Sequence, residues 1–206
     1  GSCYRFPSLA GCMNVKIRLS IATVIAIAAI ISVAEASRIH LKAILAQILL
    51  QNAWSQTLRG HQNIRPWSWA DFYPVAKLAV PSLEADVIVL AGANGATLPF
   101  GPGHILSSAR LGASDNAVIA GHRDTHFKFL QDVRIGNPII LTTSNGERHT
   151  YTVEKTEVVH ESAVHLMDSS EQKKLTLITC WPFDAVVPGG PLRYVVHAVS
   201  LNESTL

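Results

Sequence analysis

Short apolar stretches separated by turn residues run through the chain from Pro74 onward. Each is rich in Val, Ile, Leu and Thr, and Gly, Pro or Asn separates it from the next, as at Asn145-Gly146. This spacing is typical of β-strands joined by tight turns. The predicted strands are residues 75–80, 86–90, 117–120, 139–143, 149–159, 176–180 and 193–201. With only two short helical pieces, near 125–132 and 161–169, the pattern predicts an all-β fold, a closed or nearly closed β-barrel of about eight strands.

An uncharged apolar run lies near the N-terminus, ahead of the strands. It extends over residues 19–34 and follows two basic residues. A helix of this length spans about 24 Å, and basic side chains at its end can reach the lipid headgroups. We therefore assign residues 15–36 to a transmembrane anchor or signal segment. Residues 1–14 are assigned to a leader or cloning remnant, because Met13 is a natural place for translation to start.

Two fates of the apolar segment remain open. Ala34-Glu35-Ala36 has the small-x-small form of a signal peptidase site, and cleavage there would release the domain. A retained helix would instead anchor the domain, and we favour the anchor because another helix follows directly. In either case, the positive charge before the helix places the bulk of the protein outside the cytoplasm.

Residues 37–63 are predicted to form a juxtamembrane amphipathic helix followed by a linker. The apolar residues of the helix share one stripe, which would pack on the barrel or lie at the membrane surface. They are Leu41, Ile44, Leu45, Ile48 and Leu49. The barrel is expected to occupy residues 64–206. Near its start, Pro66-Trp67-Ser68-Trp69 predicts an extended segment whose two indoles pack against the domain.

The composition of the chain argues against several classes of function. A formal net charge of +2 without a Lys/Arg-rich run gives no reason to expect a nucleic-acid partner. Apart from His122, the histidines show no helical i,i+4 pair and no cysteine at ligand spacing, so no metal site is predicted. The cysteines, Cys3, Cys12 and Cys180, form no disulfide framework, and Cys180 is expected to be a free thiol.

Cys180 ends the strand predicted in LTLITCWPF, because Pro182 cannot continue a central ladder. This position suits a nucleophile, although a cysteine at a strand end is also a common small buried hydrophobe. NAVIAGHRD predicts a strand that runs out into His122, and PLRYVVHAV predicts one that begins with Arg193. Reactive side chains at three strand ends favour an active site on one rim of the barrel. Asp124 is interpreted as a turn residue or orienter rather than a catalytic acid.

A cysteine, a histidine and an arginine in this arrangement can carry out acyl transfer. Cys180 would attack a peptide carbonyl, and His122 would protonate the leaving amine and later deprotonate an incoming amine. Arg193 is permanently protonated and can form two parallel hydrogen bonds, so it is the expected donor to the oxyanion. Thr179 and Trp181 flank the cysteine and are expected to contact substrate, with plain strand packing as the alternative for Thr179.

These motifs resemble those of the sortase family. TLITC at residues 176–180 is similar to the TLxTC signature, AGHRD lies upstream with the histidine, and RYVV lies downstream with the arginine, all in the family's order. The resemblance covers residues from about 78 to 201. PWSWADFYPVAKL, at residues 66–78, further resembles the single sortases of proteobacteria.

The resemblance implies a sortase-type barrel that acts as a cysteine transpeptidase, with His122, Cys180 and Arg193 as catalytic residues. Such an enzyme cleaves the C-terminal sorting motif of a secreted protein and joins the new carboxyl to an amine acceptor in the envelope. The expected partners are that substrate protein, the amine acceptor and the membrane. A single-pass anchor would hold the catalytic domain outside the cytoplasm, on the periplasmic side of the inner membrane if the protein is proteobacterial. Residues 160–174 would form the substrate-binding loop.

The resemblance implies no cofactor, although members of the family differ in calcium dependence, and the scattered Asp and Glu residues form no recognisable calcium loop. Two other interpretations stay open. An enzyme similar to L,D-transpeptidases or papain is disfavoured by motif order, since the former places its arginine just after the cysteine and the latter places its cysteine before the histidine. A membrane-tethered barrel that binds an envelope peptide without catalysis is the second, and thiol reactivity distinguishes a catalytic Cys180 from a packed one.

Overall fold

A computed structural model of the chain describes residues 15–187 and 189–200. The predicted leader, residues 1–14, lies outside the described residues, and Cys3 and Cys12 lie outside them with it. The chain divides into two compact units, Gly1–Leu45 and Ala46–Leu206. Among the described residues, the first unit contains the beginning of a long helix, whereas the second contains the end of that helix and all the strands.

The helix, α1, extends without interruption over Val15–Leu58. The predicted apolar segment and the predicted amphipathic helix are parts of this one helix, because no proline or glycine separates them. It ends in a Schellman motif around Gly60, whose φ is 95°. The Gly60 N–H donates to the Thr57 carbonyl, and the next N–H donates to the carbonyl of Gln56. By length and composition α1 can cross a membrane, a property that a membrane anchor and a signal segment share.

In the second unit, α1 packs on the barrel through a face that the apolar stripe did not indicate. The buried residues of this face are Ala46, Leu50, Ala53, Trp54 and Thr57. Leu50 and Trp54 join Phe72 and Leu90 in a separate apolar cluster. Ile48, a stripe residue of the same unit, is by contrast 52% exposed. Packing on the barrel, one of the two roles expected for the stripe, therefore falls to other residues, because helical spacing identifies an apolar face but not the surface that covers it.

Eight strands form a closed barrel in the second unit. They are β1 (Pro74–Val80), β2 (Ala85–Ala91), β3 (Gly103–His104), β4 (Asn116–Ala120), β5 (Pro138–Thr143), β6 (Arg148–His160), β7 (Lys174–Cys180) and β8 (Leu192–Val199). The order around the barrel is β1-β2-β3-β4-β7-β8-β6-β5. The pairs β2/β3 and β4/β7 are parallel, and the other neighbours are antiparallel. The predicted closed barrel of about eight strands is thus confirmed.

Seven of the strands lie within a few residues of their predicted positions, and one was missed. The missed strand, β3, has 2 residues, too few to show alternation. The two helical pieces expected near 125–132 and 161–169 are short 3₁₀ helices, Lys128–Asp132 and Val164–Met167. The barrel is therefore mixed in strand direction and almost free of α-helix beyond the end of α1.

The two indoles at the start of the barrel lie in different environments. Trp67 packs edge-on against Phe72 and Phe100, with ring centroids 5.5 and 5.1 Å apart. Trp69 is 79% exposed. The Ala70 N–H donates to the Trp67 carbonyl at 3.1 Å, so the segment turns here instead of extending, and the turn separates the two rings. The prediction of packing is confirmed for Trp67 and wrong for Trp69.

Alternation along the strands separates the barrel core from an outer face. Leu175 and Leu177 of β7 are buried in the main apolar cluster, together with Val196 and Ala198 of β8. The residues between them point to the opposite face, because successive side chains of a strand alternate. The outward residues of these two strands are Thr176, Ile178, Cys180, Arg193, Val195 and His197. Cys180 and Arg193 therefore share the outer face.

His104 on β3 links the stability of the fold to pH. It is 8% exposed, and its Nε2–H donates to the Ala109 carbonyl at 2.9 Å. Burial lowers the pKa of His104 by more than this hydrogen bond raises it, so the folded protein favours the neutral imidazole. Burial also lowers the pKa values of His126, His149 and His197. Their stabilising contribution is complete above the unfolded value of about 6.5 and is lost as the pH falls through the lowered pKa values.

We therefore expect the free energy of unfolding to decrease as the pH is lowered from about 7.5 to 5 in urea titrations. His104→Asn should decrease less over this range, because the amide keeps a donor for the Ala109 carbonyl and does not titrate. The carboxylates with lowered pKa values lose their contribution only at more acidic pH. Equal pH dependence in the wild type and His104→Asn would contradict the assignment to His104.

Candidate active site

Three neighbouring strands, β4, β7 and β8, bring the predicted residues to one end of the barrel. Cys180 is the last residue of β7 and is paired with Arg193 near the start of antiparallel β8. On the other side of β7, β4 runs parallel to it, with Ala120 paired to Ile178. His122 lies two residues beyond Ala120, just as Cys180 lies two residues beyond Ile178. The register pairs Cys180 with Arg193 and places the turn that begins with His122 beside the end of β7, so the three predicted residues come to the same end of the barrel.

Hydrogen bonds before His122 continue the pairing of β4 with β7. The Gly121 N–H donates to the Ile178 carbonyl at 3.0 Å. Thr179 Oγ1 in turn donates to the Gly121 carbonyl at 2.7 Å, and Thr179 is 2% exposed. The hydroxyl therefore links the two strands, as the strand-packing alternative expects, and the contact between Thr179 and substrate stays a prediction. The segment that ends in Cys180 is tied to the segment that begins with His122.

The turn that carries His122 is also fixed from below. Phe127 is fully buried in the core, and its N–H donates to the His122 carbonyl at 3.0 Å. A Cβ on Gly121 would lie 2.7 Å from the Phe127 ring, closer than side-chain carbons approach each other. Glycine is needed at this position because the backbone runs directly over the aromatic ring. His122, the base proposed from the sequence, thus belongs to a tightly packed turn.

Hydrogen bonds after His122 come from Arg123, a residue whose role the sequence interpretation missed. Its side chain is 3% exposed. NH1 donates to the Pro182 carbonyl at 2.6 Å, and NH2 donates to the Ala185 carbonyl at 3.1 Å. Nε and NH2 also donate to the Asp124 carboxylate, at 2.8 and 3.2 Å. The hydrogen bonds that Arg123 donates to the Asp124 carboxylate, and then the negative charge of that carboxylate, raise the pKa of Arg123 despite its burial.

Asp124 therefore orients Arg123, in agreement with the interpretation of Asp124 as an orienter. The one signal in the sequence that could have indicated the role of Arg123 is the Arg-Asp pair directly after a buried strand, where the two side chains can meet. The signal is weak because an arginine in a loop is usually solvated. Its burial depends on a loop that lies far along the chain, at Pro182 and Ala185.

The Arg193 side chain is more exposed than that of Arg123. NH2 donates to Glu161 at 2.6 Å, and NH1 donates to the carbonyls of Gly190 and Leu192 at 2.6 and 3.0 Å. The Arg193 side chain is 25% exposed and that of Glu161 is 52% exposed. No partner of the Arg193 Nε–H lies among the described residues, so one edge of the guanidinium is free to bind an anion. The oxyanion role of Arg193 stays a prediction.

Trp181 begins the loop after β7 and packs against two neighbouring aromatic residues. Its ring stacks on Tyr194 with a centroid distance of 5.6 Å and meets the edge of Phe183 at 5.6 Å. The three rings line a surface cavity of about 470 Å³. The contact between Trp181 and substrate that the sequence predicts also stays a prediction.

A chain of buried polar groups connects the outer face of the sheet to the loop before β7, residues 161–173. His197 Nε2–H donates to Glu157 at 2.8 Å, and His197 Nδ1 lies 3.5 Å from the Thr176 hydroxyl. That hydroxyl donates to the Asn116 side-chain carbonyl at 2.8 Å. The Asn116 amide then donates to two carbonyls of the loop, at 2.9 and 3.1 Å. Asn116 therefore anchors the loop that the sequence predicts to bind substrate, through hydrogen bonds to its underside.

The barrel and its strand-end residues match a known family. A family model described as a Sortase domain matches residues 78–201, the part of the chain that contains His122, Cys180 and Arg193. The chain belongs to the sortase family. It is 31% identical to Sortase D of Bacillus subtilis over 121 residues, which cover 58% of this chain and 60% of that protein. It is 34% identical to Sortase A of Listeria monocytogenes over 110 residues, 52% of this chain and 49% of that protein.

This sortase thus spans about half to three fifths of the length of these curated relatives. Among solved structures, it is similar to Sortase A from Corynebacterium diphtheriae, with a TM-score of 0.59 and 31% identity over 70% of this chain and 68% of that one. A Clostridium perfringens Sortase D5 transpeptidase shares the fold, with a TM-score of 0.57 and 21% identity over 73% and 88% of the two chains. The family resemblance is confirmed, and the proteobacterial likeness stays a prediction.

The anchoring role of Asn116 predicts that Asn116→Ala releases the loop of residues 161–173. The substitution removes both donors to the loop carbonyls, and each lost buried hydrogen bond costs about 1–3 kcal/mol. We expect limited proteolysis within the loop to become at least about tenfold faster. Thr176→Val should have a smaller effect, because it leaves both loop hydrogen bonds in place. Equal cleavage rates for the wild type and Asn116→Ala would show that the loop is held by other contacts.

Proposed function

We propose that this sortase is a cysteine transpeptidase that cleaves a C-terminal sorting motif of a secreted protein and transfers the acyl group to an amine in the cell envelope. The alignment of His122 with Cys180, with hydrogen bonds on both sides of each residue, carries the proposal. A nucleophile and a base held at the ends of adjacent strands can exchange a proton without rearrangement of the backbone. The family membership supports the same reaction class.

In the proposed reaction, His122 takes the proton of the Cys180 thiol, and the sulfur attacks the scissile carbonyl to form a tetrahedral oxyanion. The peptide C–N bond then breaks, His122 gives its proton to the leaving amine, and a thioester remains on Cys180. The acceptor amine attacks the thioester, His122 takes the amine proton, and the sulfur leaves as the new amide forms. Arg193 donates its free Nε–H to the oxyanion in both halves of the reaction. Thiol, imidazole and guanidinium supply all these roles, so no cofactor is proposed.

The sorting motif is proposed to lie on the outer face of β7 and β8, between the loops of residues 161–173 and 181–191. Both loops expose apolar side chains, with Val164 78% and Val186 97% exposed. Burial of these groups against a peptide would favour an apolar residue in the motif. The substrate is thus an extended segment near the C-terminus of a secreted protein.

The proposed location follows from α1 and from family membership. Sortases are associated with the cell envelope, and α1 is apolar and long enough to anchor the barrel. We propose a single membrane pass with the catalytic domain outside the cytoplasm, supported by Lys16 and Arg18 before the apolar run. In a proteobacterium, this side is the periplasmic side of the inner membrane. The proposed partners are the substrate protein, the amine acceptor and the membrane, without nucleic acid.

The test of the proposed function uses the full-length chain in detergent with a panel of sorting-motif peptides and a small amine. Mass spectrometry should detect a thioester adduct on Cys180 in the wild type and a ligated product when the amine is present. Cys180→Ala should give neither species, and His122→Ala should slow product formation by about 10²–10⁴-fold. Faster loss of the adduct with amine than without it identifies a transpeptidase.

Two other outcomes would assign another function. Release of a free carboxylate at the same rate with and without amine indicates a peptidase. A wild type that forms no adduct with any peptide, and whose thiol reacts with small electrophiles only after unfolding, favours the peptide-binding barrel without catalysis.

Arg193→Ala is expected to lower kcat by about 10²–10³-fold with little change in KM, because the oxyanion exists only after attack. Arg193→Lys should lie between the wild type and Arg193→Ala, since lysine keeps the charge but not the parallel donors. Glu161→Gln is the matched control, because it removes the surface ion pair and leaves the guanidinium in place, and its rate should stay within about threefold of the wild type. A wild-type rate for Arg193→Ala would assign the oxyanion to other donors.

A further inference from the structure

Arg123 connects the two segments that carry the proposed base and the proposed nucleophile. It directly follows His122, and it donates to the carbonyls of Pro182 and Ala185 in the loop that follows Cys180. Its side chain is only 3% exposed, so this charge lies within the protein and not on its surface. A buried guanidinium is tolerated only when its N–H groups are satisfied, and here it makes four hydrogen bonds.

The planar guanidinium is held along both of its edges. Nε and NH2 donate hydrogen bonds to the two oxygens of the Asp124 carboxylate, which lies on the same turn as Arg123. NH1 and NH2 reach across to the loop carbonyls at 2.6 and 3.1 Å. A rigid planar group bound along two edges transmits the position of one segment to the other, which a flexible single-point donor cannot do.

We infer that Arg123 is a positioning residue that keeps His122 aligned with Cys180 during acyl transfer, an inference that rests on the proposed transpeptidase function. On the side before His122, the Gly121 N–H bonded to the Ile178 carbonyl holds the two segments together. On the side after it, Arg123 forms the corresponding link. Without Arg123, the base would be tied to the nucleophile strand on one side only, and the turn could swing away from the sulfur.

The link also divides the loop after Cys180 into two parts. The carbonyl of Ala185 is the last one that Arg123 contacts. The next residues, Val186 and Val187, are 97% and 75% exposed, and Gly190 has a φ of 107° that glycine adopts without strain. The part of the loop beside the nucleophile is therefore fixed by Arg123, while the outer part can adapt to a bound peptide.

The test compares steady-state acyl transfer by full-length wild type, Arg123→Lys and Arg123→Ala. Both variants should lower kcat by about 10²-fold, the usual effect of misplacing a reacting group by about 1 Å. KM for the sorting peptide should change much less than kcat, because Asn116 still holds the loop of residues 161–173 and Arg123 does not contact the exposed outer part of the loop after Cys180. Arg123→Lys should not restore kcat, since one ammonium group cannot form the hydrogen bonds that the guanidinium makes along two edges. Added ethylguanidinium should restore the Arg123→Ala rate by roughly tenfold.

Arg148 provides the matched control, because it is an exposed arginine at the start of β6. Arg148→Lys and Arg148→Ala should both retain the wild-type kcat. Unfolding midpoints, and mass-spectrometric labelling of the Cys180 thiol resolved from Cys3 and Cys12, separate a loss of alignment from a loss of folded protein. If Arg123→Ala does not fold, Asp124→Asn replaces it and should lower kcat by roughly tenfold, because it weakens one edge only.

A wild-type kcat in Arg123→Lys, or a change confined to KM, would overturn the positioning role. Loss of kcat in proportion to the loss of folded protein would overturn it as well, since that result assigns Arg123 to stability alone. A wild type without acyl transfer would instead contradict the proposed function, on which the role depends, and so the two failures are distinguishable.

Discussion

The parallel pairing of β4 with β7 determines where the reactive groups lie. Its register runs from Asn116 paired with Lys174 to Ala120 paired with Ile178, and both strands have a second neighbour in the closed barrel. Side chains alternate along a strand, so a slip of one residue would turn Cys180 into the core. The same slip would bury polar groups without partners and expose leucines, which would raise the free energy of the folded state. The other strand pairs of the closed barrel prevent the slip from being relieved elsewhere. The position of the nucleophile is therefore a consequence of core packing.

β4 also anchors both loops that border the proposed groove. Asn116, its first residue, donates to carbonyls of the loop of residues 161–173 from beneath. Arg123, just past its end, donates to carbonyls of the loop that follows Cys180. One short strand thus fixes the expected peptide-binding loop at one end and the nucleophile loop at the other. The distance between the two loops is set by a single rigid element, which is the arrangement that precise positioning of a substrate requires.

The sequence predicts features whose signals are local and misses those that depend on distant contacts. The barrel, and the strand ends at His122 and Cys180, follow from alternation and from residues that stop strands, all visible within ten or so positions. Exposure of Trp69 depends on a turn that its two-residue spacing from Trp67 does not show. Burial of Arg123 requires carbonyls some sixty positions away, which only the closed barrel brings near. The roles of individual arginines are therefore predicted less well than the strands that carry them.

The two arginines near Cys180 differ in a way that separates their chemistry. Arg123 is 3% exposed and bound along both edges, so its guanidinium has no freedom to follow a charge that appears during a reaction. Arg193 is 25% exposed, pairs with a half-exposed Glu161, and keeps its Nε–H without a partner among the described residues. An oxyanion exists only in the transition state and the intermediates near it, so its donor must have capacity that the resting protein has not already used. Arg193 meets that condition, whereas the hydrogen bonds along both edges of Arg123 restrict Arg123 to holding the backbone in place.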